Sequence, residues 1–86
     1  MTPFTMELMP TNGRKSFYGK CLVRFEDDCS QTLLSYGTEI MRRFPDGSMV
    51  RFRWNVEAKD WTPTTGIHIK TFCGLNKKEY MALPLA

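Results

Sequence analysis

Hydrophobic and polar positions alternate with the period of a strand through three stretches of the chain. Between Leu34 and Phe44, the side chains of Leu34, Tyr36, Thr38 and Ile40 share one face, and Ser35, Gly37 and Glu39 the other. From Met49 to Glu57 the alternation is cleaner: Val50, Phe52, Trp54 and Val56 oppose Arg51, Arg53, Asn55 and Glu57. Phe44-Pro45-Asp46-Gly47-Ser48 lies between them, with a proline that presets a turn φ and a glycine that can take a positive one, so an antiparallel hairpin is expected. Earlier, Phe17, Cys21, Val23 and Phe25 alternate with Tyr18, Lys20, Leu22 and Arg24, which predicts a strand over 17–26. The apolar faces of these strands are expected to be buried, with Trp54 in the core and Trp61 in a different environment.

The period changes at Trp61. Thr62 can cap free amides, Pro63 suits the first helical position, and Gly74 can end a helix in the left-handed conformation. Over the helix so bounded, Thr65, Ile69, Phe72 and Cys73 form a stripe with His68 at its edge. Threonines and Gly66 make it weak alone, at roughly 0.3 to 1 kcal/mol per unfavourable residue, so it needs a sheet to lie on. The pattern predicts one α+β domain over 1–86: an antiparallel sheet of three to five strands with one short helix packed on one face. An N-terminal arm or edge strand is expected over 1–13, a three-stranded sheet over 17–57, the helix over 62–74, and a C-terminal arm or short final strand over 76–86.

Composition narrows the chemistry. With 86 residues and 42% hydrophobic content there is room for one core and no second domain, and a net charge of +3 permits an anionic partner without demanding one. Three cysteines without a C-x-x-C pair argue against a disulfide framework and a zinc site. The N-terminal stretch lacks the pattern of a secretory signal and no run reaches the roughly 20 apolar residues of a membrane span, so a reducing cytoplasm is the expected compartment. His68 is the single histidine. Cys73 follows five residues later, about 140° around a helix, so the two do not face each other as a nucleophile pair, and His68 is expected to be packed or half-buried and bonded to backbone. Asp27 and Asp28 lack the further oxygen ligands of a calcium loop and read as a solvated turn. No pair of carboxylates is set for acid and base roles, and there is no glycine-rich phosphate loop. No enzyme activity, cofactor or metal is expected.

The outer face of the sheet is the remaining candidate. Alternation places Lys20, Arg24, Arg43, Arg51 and Arg53 away from the helix, interleaved with Tyr18, Leu22 and Met41 and only partly offset by Glu26, Glu39 and Glu57. Tyr18, Lys20, Arg24, Arg43, Arg51 and Arg53 are therefore the expected partner-binding residues. Such a face could dock on an acidic groove of a protein, or stack bases and contact phosphates as a small nucleic-acid-binding regulator. On this reading, charge reversal at Arg51 and Arg53 shifts stability little, by no more than about 0.5 kcal/mol per site.

Thr32-Leu33-Leu34-Ser35-Tyr36-Gly37-Thr38, the hairpin, and Thr64-Thr65 with His68-Ile69 and Phe72 resemble small uncharacterised proteins of phages and gut bacteria, in which strands precede a TT-x-x-HI-x-x-F helix. The resemblance covers about half the chain and implies a structural role for Tyr36, Thr38, Thr65, His68, Ile69 and Phe72. It also implies a phage or mobile-element origin, and by association a stoichiometric inhibitor of a host protein or nucleoprotein complex, of which anti-CRISPR proteins are one kind.

Overall fold

The computed structural model describes residues 4–8 and 20–86. Five strands, β1 (Phe4–Glu7), β2 (Cys21–Phe25), β3 (Gln31–Ser35), β4 (Thr38–Arg43) and β5 (Met49–Arg51), pair in chain order as one antiparallel sheet. Two short helices follow, α1 (Pro63–Cys73) and α2 (Lys77–Met81). The protein is thus of the α+β class that the alternation predicts. β2 occupies the described part of the strand expected over 17–26; Tyr18 and the rest of that stretch before Lys20 lie outside the described residues.

The stretch from Leu34 to Phe44 is not one strand. Tyr36 and Gly37 have φ of 54° and 80°, the paired positive values of a two-residue hairpin turn whose twist matches the strands it joins. Leu34 therefore ends β3, Thr38 begins β4, and Tyr36 and Thr38 are exposed rather than buried.

Register decides which face is the core. Met6, Val23, Leu33, Met41 and Arg51 lie opposite one another across the sheet, and so share a face. Val23, Leu33 and Met41 form the core there with Ile69 and Phe72 of α1. Leu33 faces Met41 and Leu34 faces Glu39, so Ile40 is an extra residue in a bulge. Ile40 and Met41 are consequently adjacent and both fully buried. The buried Tyr80 of α2 donates to the Ile40 carbonyl (2.9 Å) and accepts from Trp54 Nε1 (3.0 Å). Trp54 and Trp61 are both half-buried against this core.

β5 ends much earlier than the alternation suggests. Asp60, which is buried, accepts the amides of Trp54 (2.9 Å) and Asn55 (2.8 Å), and Asn55 Oδ1 accepts from Ala58 N (3.0 Å). These bonds turn the chain out of the ladder, and Val56 stands 70% exposed. α1 begins and ends as its caps predict: Thr62 Oγ1 accepts from Thr65 N (3.2 Å), and Gly74, at φ 79°, donates its amide to the Lys70 carbonyl (2.8 Å). The expected C-terminal arm contains α2, whose start is a reciprocal cap in which Glu79 N donates to Asn76 Oδ1 (2.8 Å) and Asn76 N to Glu79 Oε1 (3.1 Å). The chain then returns along β5, with Arg51 N bonded to the Pro84 carbonyl and Ala86 N to that of Arg51.

Candidate functional site

The face opposite α1 carries charge, but the charge is internally matched. Arg24 Nε donates to Glu26 Oε1 (2.9 Å) and its Nη2 to Glu39 Oε2 (2.6 Å). Arg42 Nη2 donates to Glu26 Oε2 (3.1 Å) and lies 3.7 Å from Glu39 Oε2. Buried Thr32 sits between them, its hydroxyl donating to Glu26 (3.1 Å) while accepting from Arg42 Nε (2.9 Å). The hydrogen bond from Arg24 holds the Glu26 carboxyl below its ordinary pKa, against the opposing effect of burial. Two arginines and two glutamates make this a neutral lattice rather than a basic surface.

Of the six expected partner-binding residues, the five that are described are not brought together. Only Arg24 lies in that lattice, and Tyr18 is outside the described residues. Lys20 is exposed beside the β3–β4 turn, with Nζ 5.3 Å from the centre of the Tyr36 ring. The bulge at Ile40 reverses the parity of β4, so Arg43 falls on the α1 side and Arg42 takes the outer place. Arg51, in register with Met41, is also on the α1 side, where its Nε donates to the Leu83 carbonyl (3.2 Å) and its Nη1 lies 3.7 Å from Asp60. Arg53 has left the ladder and pairs with Asp60 at 2.7 Å. Reversing the charge at Arg51 and Arg53 would therefore strike a buried carboxylate, so the premise of a small stability change, that no buried group is touched, does not hold. Val50 lies opposite Arg42 in register, and the Arg42 guanidinium lies 5.7 Å from the centre of the Phe52 ring.

On the α1 side, His68 is buried and bonded to a side chain rather than only to backbone. Its Nδ1 lies 2.8 Å from Ser35 Oγ, which is 3.1 Å from Thr65 Oγ1. Ser35 and Thr65 also line a cleft of about 360 Å³ with Tyr36, Thr38, Trp54 and Asn55. Cys73 does not join this cluster: its Sγ donates to the Ile69 carbonyl (3.3 Å) and contacts Met41 Sδ (3.8 Å). Burial raises the Cys73 thiol pKa, and burial with the charge of Glu7 pushes that of Cys21 up to about 12. Neither thiol is an activated nucleophile near neutral pH. Among the described residues no group of three or more His, Cys, Asp or Glu side chains could hold a metal ion.

A second depression lies where the helix leaves the sheet uncovered. α1 packs mainly on β3, and the same face of β1 and β2 forms an apolar groove of about 170 Å³, lined by Met6, Leu8, Val23, Phe25, Phe72 and Arg43, with Gln31 and Glu7 at its margins. Phe4 stacks on Phe25 with ring centres 4.8 Å apart. Phe4 and Met6 nevertheless remain 47% and 54% exposed. The spacing of Phe4, Met6 and Leu8 is the sequence signal for this surface. Its meaning appears only when pairing to β2 sets those residues beside Val23 and Phe25.

Among the described residues, no helix is long and apolar enough to cross a membrane. No curated protein and no solved structure matches this chain. The sequence model of one family spans nearly all of it, from residue 5 to residue 83, and the chain belongs to that family, DUF8033, a family of unknown function.

Proposed function

We propose that this chain acts by stoichiometric contact with a protein partner, and that the contact is made by the apolar groove between β1, β2 and the C-terminal end of α1. The observation that carries this reading is the exposure of Phe4 and Met6 on the face that elsewhere is core. Apolar surface left in water forgoes about 25 cal/mol per Å² of burial, and contiguous apolar patches of this kind mark interaction surfaces. The neutral outer lattice supports a protein partner over a phosphate backbone, because Arg24 and Arg42 already share Glu26 and Glu39. In its specific form, following the phage-like resemblance, the reading is an anti-CRISPR-like inhibitor of a host nucleoprotein complex.

The test is affinity capture from a nuclease-treated bacterial lysate, with the wild-type chain and Met6→Asp side by side. Met6 is exposed, so the substitution should alter stability by no more than about 0.5 kcal/mol. A protein retained by the wild type and lost by the variant is the expected result. Equal retention by both, or no specific protein with the wild type, would overturn the reading.

A further inference from the structure

The groove has a cationic end, and that end specifies the chemistry of its occupant. Four of the arginines among the described residues have carboxylate partners: Arg24 and Arg42 with Glu26 and Glu39, and Arg51 and Arg53 with Asp60. Among the described residues, Arg43 donates to neutral acceptors. Its Nη2 donates to Gln31 Oε1 (2.6 Å) and its Nη1 reaches the Phe72 carbonyl at 3.4 Å. Its guanidinium carbon lies 4.5 Å from the centre of the Phe72 ring. A guanidinium has five N–H donors in a rigid fork suited to a carboxylate, and stacking on an aromatic ring holds that fork in place. Arg43 is thus a partly buried, oriented cation beside an apolar floor, with no carboxylate among the described residues to pair it.

From this charge and shape, and resting on the protein-binding reading above, we infer that the occupant is a segment of a partner protein with an acidic side chain on Arg43 and an adjacent large apolar side chain over Met6, Val23 and Phe25. The volume supports a side chain as the guest. At about 170 Å³ the groove is smaller than the roughly 300–1,000 Å³ typical of small-molecule sites. Register sets the direction. Phe4, Phe25, Gln31 and Arg43 share one row across the sheet. A carboxylate guest is therefore drawn to the Arg43 end of that row, which leaves the apolar side chain over Met6, Val23 and Phe25.

The experiment titrates the full-length ¹⁵N-labelled chain with acetyl-Leu-Phe-Glu-amide and with acetyl-Leu-Phe-Gln-amide, following the amides of Met6, Val23, Phe25 and Phe72. The acidic peptide should saturate these shifts at a concentration about tenfold lower than its neutral counterpart. The difference should fall below about twofold in Arg43→Gln and return in Arg43→Lys. Equal affinities in the wild type, no saturable shift with either peptide, or a preference that survives Arg43→Gln would each overturn the inference. The wild-type comparison requires no variant, so it stands even if Arg43→Gln folds poorly. The two readings separate in the capture experiment. If Met6→Asp loses the partner while a folded Arg43→Gln keeps it, protein binding stands and the acidic guest does not.

Discussion

Gly66 shows how a residue's local cost can be outweighed by what it touches. In a helix interior glycine is about 1 kcal/mol worse than alanine, so Gly66→Ala would strengthen α1 if the helix stood alone. In the fold, a Cβ at this position would lie 2.5 Å from Trp61 Cζ2 and 3.0 Å from Cε2. The indole is half-buried against the core and in contact with Tyr80, so it cannot swing aside freely. Overpacking of this kind costs about 1–3 kcal/mol, which offsets the propensity gain. Gly66→Ala is therefore expected to lower the urea midpoint, and an increase would show that Trp61 yields without cost.

At the scale of elements, the segment from Phe52 to Asp60 is organised by one carboxylate. Burial alone would raise the Asp60 pKa, but the amides of Asn55 and Trp54 and the charges of Arg53 and Arg51 together hold it below its ordinary value. A carboxyl lowered in the folded state adds stability that is fully present above its unfolded pKa, about 3.9, and is lost as pH falls through the folded value. Asp60→Asn should cost about 2–3 kcal/mol at neutral pH, because it weakens both amide contacts and leaves two arginines without their partner. The variant should also lose less stability than the wild type on acidification below about pH 4. Urea midpoints of both chains at neutral pH and through that acid window check the magnitude and the sign, and parallel acid profiles would remove Asp60 from the account.

For the whole molecule, what matters is how its net charge of +3 is distributed. A basic sheet face engaging about four phosphates would make log affinity for duplex DNA fall with log salt at a slope near −3 to −4. With Arg24 and Arg42 in the lattice, Arg51 and Arg53 on Asp60, and Arg43 in the groove, these arginines do not form a single surface among the described residues. Fluorescence anisotropy of a labelled duplex between about 50 and 200 mM salt should give a slope smaller in magnitude than about 1. A slope near −4 would return the nucleic-acid reading to first place.

The features legible in the sequence are those whose physical cause lies within a few residues. Thr62, Pro63 and Gly74 bound α1 because a cap satisfies amides and carbonyls one turn away. Pro45, Asp46 and Gly47 turn the chain because their φ preferences are their own: Gly47 is at 89°, and Asp46 accepts from Ser48 two residues on. Asn76 and Glu79 carry an equally local signal for α2, although their segment reads as an arm by hydrophobicity. The Tyr36–Gly37 turn is hidden because tyrosine replaces the asparagine or glycine usual at its first position. The tertiary structure alone decided which side of each strand faces the core and which charges meet. A period of two defines two faces without saying which is buried, and one bulged residue at Ile40 exchanges Arg42 and Arg43 between them. Arg24 finds Glu39 across 15 residues, Arg43 reaches Phe72 across 29, and Ser35 meets His68 across 33. These pairings depend on strand register and on where α1 lies, and both follow from burying Val23, Leu33, Met41, Ile69 and Phe72 together rather than from the neighbours of any one residue.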